Sequence, residues 1–99
     1  MRVRWADEAE AHLDLWIDQL IGLDDRLAKR ARDETKDAAE RLMIRFPIYR
    51  SSLRWPGFQE LPLHDWHKII VYQVAPDEVI VGALFDMRQD LTRVQPRPE

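Results

Sequence analysis

Five side chains in the second half of the chain are of types that could act together on a phosphodiester: His64, His67, Lys68, Tyr72 and Arg88. Metal-independent cleavage of RNA needs a base for the 2′-hydroxyl, an acid for the leaving oxygen and cations for the phosphate charge. Two features oppose that chemistry. No His, Lys or Tyr follows Tyr72, and Asp86 adds negative charge where a phosphate would sit. Each candidate also has a plainer reading. Tyr72 suits a core or cross-strand position. Arg88 could pair with Asp86 or Asp90 at the surface, or contact a target. His64-Asp65-Trp66-His67 offers two imidazoles and one carboxylate without a second cluster, which reads as a surface turn. No metal and no cofactor are expected. Trp55, Phe58 and Trp66 lie near loops; exposed, they would anchor a partner, and folded back they would extend the core.

The elements that must position these residues centre on His67 to Asp90. Ile69 to Val74 is β-branched and aromatic, Ala75-Pro76-Asp77-Glu78 is turn chemistry, and Val79 to Phe85 is a second apolar run. Two nearly continuous apolar strands need covering, and the cover must come from the first half. There, Val3 to Trp5 is a short strand candidate, with Arg2 and Arg4 on the opposite side from Val3 and Trp5. Asp7 is the expected N-cap of a first helix with the stripe Ala9, Leu13, Trp16, Ile17 and Leu20, stopped at Gly22. Asp24 or Asp25 would cap a second helix with the stripe Ala28, Ala31, Thr35, Ala38, Leu42 and Phe46, ended by Pro47. The short link predicts an antiparallel helical hairpin. Ile48 to Gly57 reads as a loop. Phe58 to Leu63 reads as a strand, with Pro62 placing it at an edge. The order is β-α-α-β-β-β: an α+β domain with the helical hairpin packed on a small, mostly antiparallel sheet.

A chain of 99 residues supports one modest core. Residues 1–94 are expected to form the single domain and 95–99, with Pro96 and Pro98, a flexible tail. No apolar run is long enough for a membrane span, and Met1 to Trp5 runs directly into a polar segment, unlike a signal peptide. The absence of cysteine rules out a disulfide framework. A cytoplasmic location is expected. The net charge is −3, carried by the first 44 residues with 8 basic and 11 acidic side chains. That balance is unlike a nucleic-acid binder, and no direct sequence-specific nucleic-acid binding is expected.

This order resembles the RelE/ParE superfamily of bacterial toxins, closer to its ParE-like members. The resemblance rests on Val3-Arg4-Trp5 followed by Ala9 and Leu13, on Phe46-Pro47, and on Gly57-Phe58-Gln59-Glu60-Leu61-Pro62. The strand Ile70 to Val74 and the stretch Phe85-Asp86-Met87-Arg88-Gln89-Asp90 complete it. The family implies the toxin of a type II toxin–antitoxin pair, inhibiting growth and neutralised by a cognate antitoxin in a hetero-oligomer. RelE-like members cut messenger RNA on the ribosome; ParE-like members have a longer helical hairpin and poison DNA gyrase. The chain departs from the RelE-like pattern. Gln59 stands where Arg is frequent, and Ile69 where a basic residue is expected, with Lys68 one place off. Asp86 stands where His is frequent, and Gln89 replaces an arginine beside the matching Arg88. The C-terminal acid that RelE-like enzymes place near the strand end has no counterpart. Binding rather than catalysis is therefore expected, with Trp55, Phe58, Trp66, Tyr72, Asp86 and Arg88 as candidate target or antitoxin contacts. His67, Lys68 and Arg88 are the catalytic candidates of the RelE-like alternative; a non-toxic binding member is the third reading.

Overall fold

The computed structural model describes residues 2–44 and 51–97, with side chains described for 2–41 and 51–97. The chain runs β1 (Arg2–Trp5), α1 (Asp7–Ile21), α2 (Asp25–Ile44), β2 (Gln59–Leu63), β3 (Lys68–Val74) and β4 (Glu78–Asp86), with 3-10 turns at His64–Trp66 and Leu91–Arg93. The α+β order expected from the sequence is the order observed.

Local chemistry accounts for most boundaries. Asp24 caps α2: its Oδ1 accepts the N–H groups of Arg26 at 2.9 Å and Leu27 at 3.3 Å. At α1 the cap position is Ala6, in extended conformation without a side-chain bond, and Asp7 is the first helical residue. The expected capping role of Asp7 is thus replaced by a charge effect, in which Asp7, Glu8 and Glu10 face the positive helix end. Gly22 ends α1 with right-handed angles (φ −62°), not the left-handed ones that favour glycine. The turn after β3 closes where expected, with Ala75 N–H donating to Glu78 O at 2.8 Å.

The sheet order is β1-β4-β3-β2. β1 runs parallel to β4, pairing Arg2 with Glu78 and Trp5 with Val81. The other two pairings are antiparallel. Pro62 lies on β2, an outer strand, as its missing N–H requires.

The helical hairpin covers one face. Leu13, Trp16, Ile17, Ala28, Ala31 and Ala39 pack with Ile70, Tyr72, Val79, Val81 and Leu84. Val3 and Trp5 lean into the same core, while Arg2 and Arg4 reach Glu78 at 3.6 and 3.1 Å. Ala28, Ala31 and Ala38, small residues of the α2 stripe, are buried within this core, and their size lets α2 approach the rest of the hairpin closely. The side chain of Leu42, and all of Phe46 and Pro47, lie outside the described residues.

A second apolar cluster forms on the other face from Trp55, Phe58, Ile69, Val71, Ala83 and Phe85, with Met87, Leu91 and Val94 against it. Gly82 switches which residues of β4 face each core. Val71 pairs with Ala83 and Tyr72 with Val81, so Gly82 is an extra residue, a β-bulge. The bulge reverses the alternation, placing Val79 and Val81 in the helix-side core and Ala83 and Phe85 in the opposite one. Residues 95–97 lie against the body of the protein: Pro96 is buried, and Arg97 reaches Glu8 at 3.2 Å.

Candidate functional site

The charged end of the β3–β4 pair is built by register. Lys68, the first residue of β3, lies opposite Asp86, the last of β4. His67 turns the chain into β3 with φ 55°, in the left-handed region, and its carbonyl accepts the Met87 N–H at 2.8 Å. That clasp holds Lys68 Nζ 3.5 Å from Asp86 Oδ2. The ammonium also stands 4.9 Å from the centre of the Trp16 ring on α1.

Asp86 is bound from several sides. Its Oδ1 accepts the Arg88 backbone N–H at 2.8 Å and Nε at 3.2 Å, and its Oδ2 accepts a second guanidinium N–H at 3.3 Å. Its own N–H donates to Gln89 Oε1 at 2.9 Å. Arg88 holds the Asp86 carboxyl down to about 2, with the Lys68 charge adding to the effect against partial burial. Burial pushes the Lys68 ammonium below its ordinary value, and Asp86 opposes that shift. Both cations of this site therefore already face a carboxylate. An incoming phosphate would have to compete with it.

The structure brings the side chains of Lys68, Asp86 and Arg88 together, and none of the remaining sequence candidates joins this charge network. His64 and His67 are exposed on the turn. Tyr72 is wholly buried in the helix-side core, so its ring presents no surface to a substrate. Trp55 and Phe58 fold back into the second core, and the Trp55 indole N–H donates to Val94 O at 3.0 Å. Trp66 is half-buried, edge-on to Trp16 at 5.9 Å, with Arg30 5.1 Å from its ring centre. Among the described residues no group of three or more His, Asp or Glu side chains is placed to hold a metal ion. No helix of the described residues is long and apolar enough to cross a membrane.

Two features escaped the sequence reading. His12 lies on α1 beside the apolar stripe, and its Nδ1 accepts the Leu84 N–H at 3.2 Å. Its place one residue before Leu13 and four before Trp16 was the available signal. A surface depression of ≈ 560 Å³ also opens beside Trp55, Leu91 and Val94. Arg54 closes one side, paired with Glu60 by Nε and a second N–H at 3.2 Å each.

The fold and site define an α+β protein with a helical hairpin on a four-stranded mixed sheet and a strand end where two cations share one carboxylate. The same fold is found in a solved chain described as "Chromosomal ParDE TA system from P. aeruginosa". The two superpose with a TM-score of 0.79 at 22% identity, over 89% of this chain and 97% of that one. No protein-family model and no curated protein matches the sequence.

Proposed function

We propose that this protein is the toxin of a type II toxin–antitoxin pair, acting as ParE-like toxins do by binding a target such as DNA gyrase. A cognate antitoxin would neutralise it. The observation that carries the reading is the fold, which extends over nearly the whole of a chain from a ParDE toxin–antitoxin system. It agrees with the sequence resemblance at Val3-Arg4-Trp5 and at Phe85 to Asp90.

A second observation favours binding over RNA cleavage. The two cations at the strand end, Lys68 and Arg88, both face Asp86, and Tyr72 is buried. The set lacks a free cation and an accessible phenol for general acid–base work on a phosphodiester. The candidate contact surface is the exposed part of this end: Asp86, Arg88 and the half-buried Trp66.

The test is induced expression in a bacterial host, following DNA supercoiling and messenger RNA integrity together. Arrested growth with altered supercoiling and intact messenger RNA is the expected result, relieved by coexpression of the small protein encoded alongside. Codon-specific cuts on programmed ribosomes that vanish in Arg88→Ala would instead establish a RelE-like ribosome-dependent nuclease. Normal growth with a copurifying partner would establish a non-toxic binding member.

A further inference from the structure

β1 accompanies β4 only as far as Val81, where Trp5 pairs and the Ala6 N–H donates to Val81 O at 2.8 Å. Beyond the Gly82 bulge the same edge of β4 carries on without a strand partner among the described residues. Its N–H groups still need acceptors, because an unpaired buried donor is costly. Side chains supply them: Gln89 Oε1 takes the Asp86 N–H at 2.9 Å, and His12 Nδ1 takes the Leu84 N–H at 3.2 Å. Leu84 is buried, and the His12 ring lies against Phe85 with centroids 5.4 Å apart.

We propose that His12 is a pH-operated latch between α1 and the free edge of β4: the neutral ring accepts the Leu84 N–H, and protonation releases it. The chemistry is specific. An imidazole accepts at Nδ1 only while that nitrogen carries no proton; the imidazolium has two N–H groups and no acceptor. Protonation would set Nδ1–H against the Leu84 N–H, donor to donor. The Leu84 N–H then loses its acceptor and becomes available to water or to another backbone.

The surroundings set the working range. On α1, Glu8 Oε1 lies 4.0 Å from Nε2 and favours the charged ring. Arg97 from the C-terminal segment pairs with Glu8 at 3.2 Å and draws on that support. On β3, Lys68 opposes a second positive charge, although Asp86 on β4 partly answers it. Burial is the largest influence, and it holds the His12 ring below the ordinary 6.5. The latch is therefore closed at neutral pH and opens on acidification. This device stands apart from the toxin reading, since it depends on the fold alone.

The test is nuclear magnetic resonance on the full chain across a mildly acidic to neutral series. The chain has 3 histidines, so His64→Gln and His67→Gln assign the ring signals. His12 is expected to titrate below 6.5, and the Leu84 amide shift to follow with the same midpoint. Hydrogen exchange at Leu84, corrected for its intrinsic pH dependence, should become faster below that midpoint. In His12→Gln, whose side-chain carbonyl can accept without titrating, the Leu84 amide should show no such transition. A Leu84 amide indifferent to the His12 titration, a His12 midpoint at or above 6.5, or a transition that persists in His12→Gln would each overturn the proposal. The wild-type titration decides the matter even if a variant folds poorly.

Discussion

The Lys68 ammonium is held between two unlike neighbours, but its bond to Asp86, at 3.5 Å across the end of the β3–β4 pair, governs the charge of the whole strand end. Without Asp86, Lys68 and Arg88 would face each other as two uncompensated cations. A single carboxylate thus halves the positive charge that this end of the sheet presents to an anion.

Asp86→Asn should reveal that carboxylate's share of stability. Its folded value, lowered from 3.8 to about 2, means that the ionised form is bound more tightly in the native protein. The contribution is complete above 3.8 and is lost as pH falls towards 2. Because Arg88 is exposed and solvent screens the pair, the expected cost at neutral pH is about 1 kcal/mol. Denaturant titrations of both proteins should converge as the pH is lowered; a constant difference would contradict this account.

Thr35 is wholly buried on α2, and its hydroxyl oxygen has no hydrogen-bond partner among the described residues. Thr35→Val removes the buried hydroxyl while keeping the branched shape. It should raise stability by roughly 1 kcal/mol, the low end of the cost of an unpaired buried hydroxyl. Thermal unfolding is the measurement, and a lowered midpoint would show that the hydroxyl is bonded in solution.

Leu13 is fully buried at the centre of the helix-side core. Leu13→Ala should cost about 2–5 kcal/mol, according to how far the cavity collapses. Leu15, two residues on and 64% exposed, provides the contrast. Leu15→Ala should change stability by no more than about 0.5 kcal/mol. Equal losses in the two variants would show that the stripe does not face the sheet.

His67 adopts φ 55°, at a cost of roughly 1–2 kcal/mol for an ordinary side chain. The ring itself is exposed. His67→Gly should therefore be neutral or mildly stabilising, whereas the β-branched His67→Val should destabilise. A more stable Val variant would show that the turn relaxes out of this conformation.

The helices and the β3–β4 hairpin were legible because their signals are local. Leu13, Trp16 and Ile17 recur at helical spacing, and Ile69 to Val74 can bury both faces. The parallel pairing of β1 was not, since nothing near Val3 indicates that its partner is Val79. The bulge had one local sign, since a glycine inside a strand pattern suggests a bulge, but a continuous apolar run shows no alternation whose reversal could be read. Trp55 and Phe58 were ambiguous because a loop aromatic has no periodicity to say which way it turns, and a second core was needed to claim them. At the site, Lys68 and Arg88 could be named as candidates, but the contact between Lys68 and Asp86 depends on strand register. His12 escaped notice because its partner is a backbone N–H, which no side-chain pattern records.

The pairing of β1 with β4 also has a bearing on the order of synthesis. Arg4 and Glu78, bonded at 3.1 Å, are separated by 74 positions in the chain. β1 therefore waits for β4, which is made after both helices and after β2 and β3, while the helices can form from local contacts alone. Closing so long a loop is entropically costly, and contacts of this kind form late. Until then Val3 and Trp5 have no sheet to join, and the nascent chain carries them uncovered.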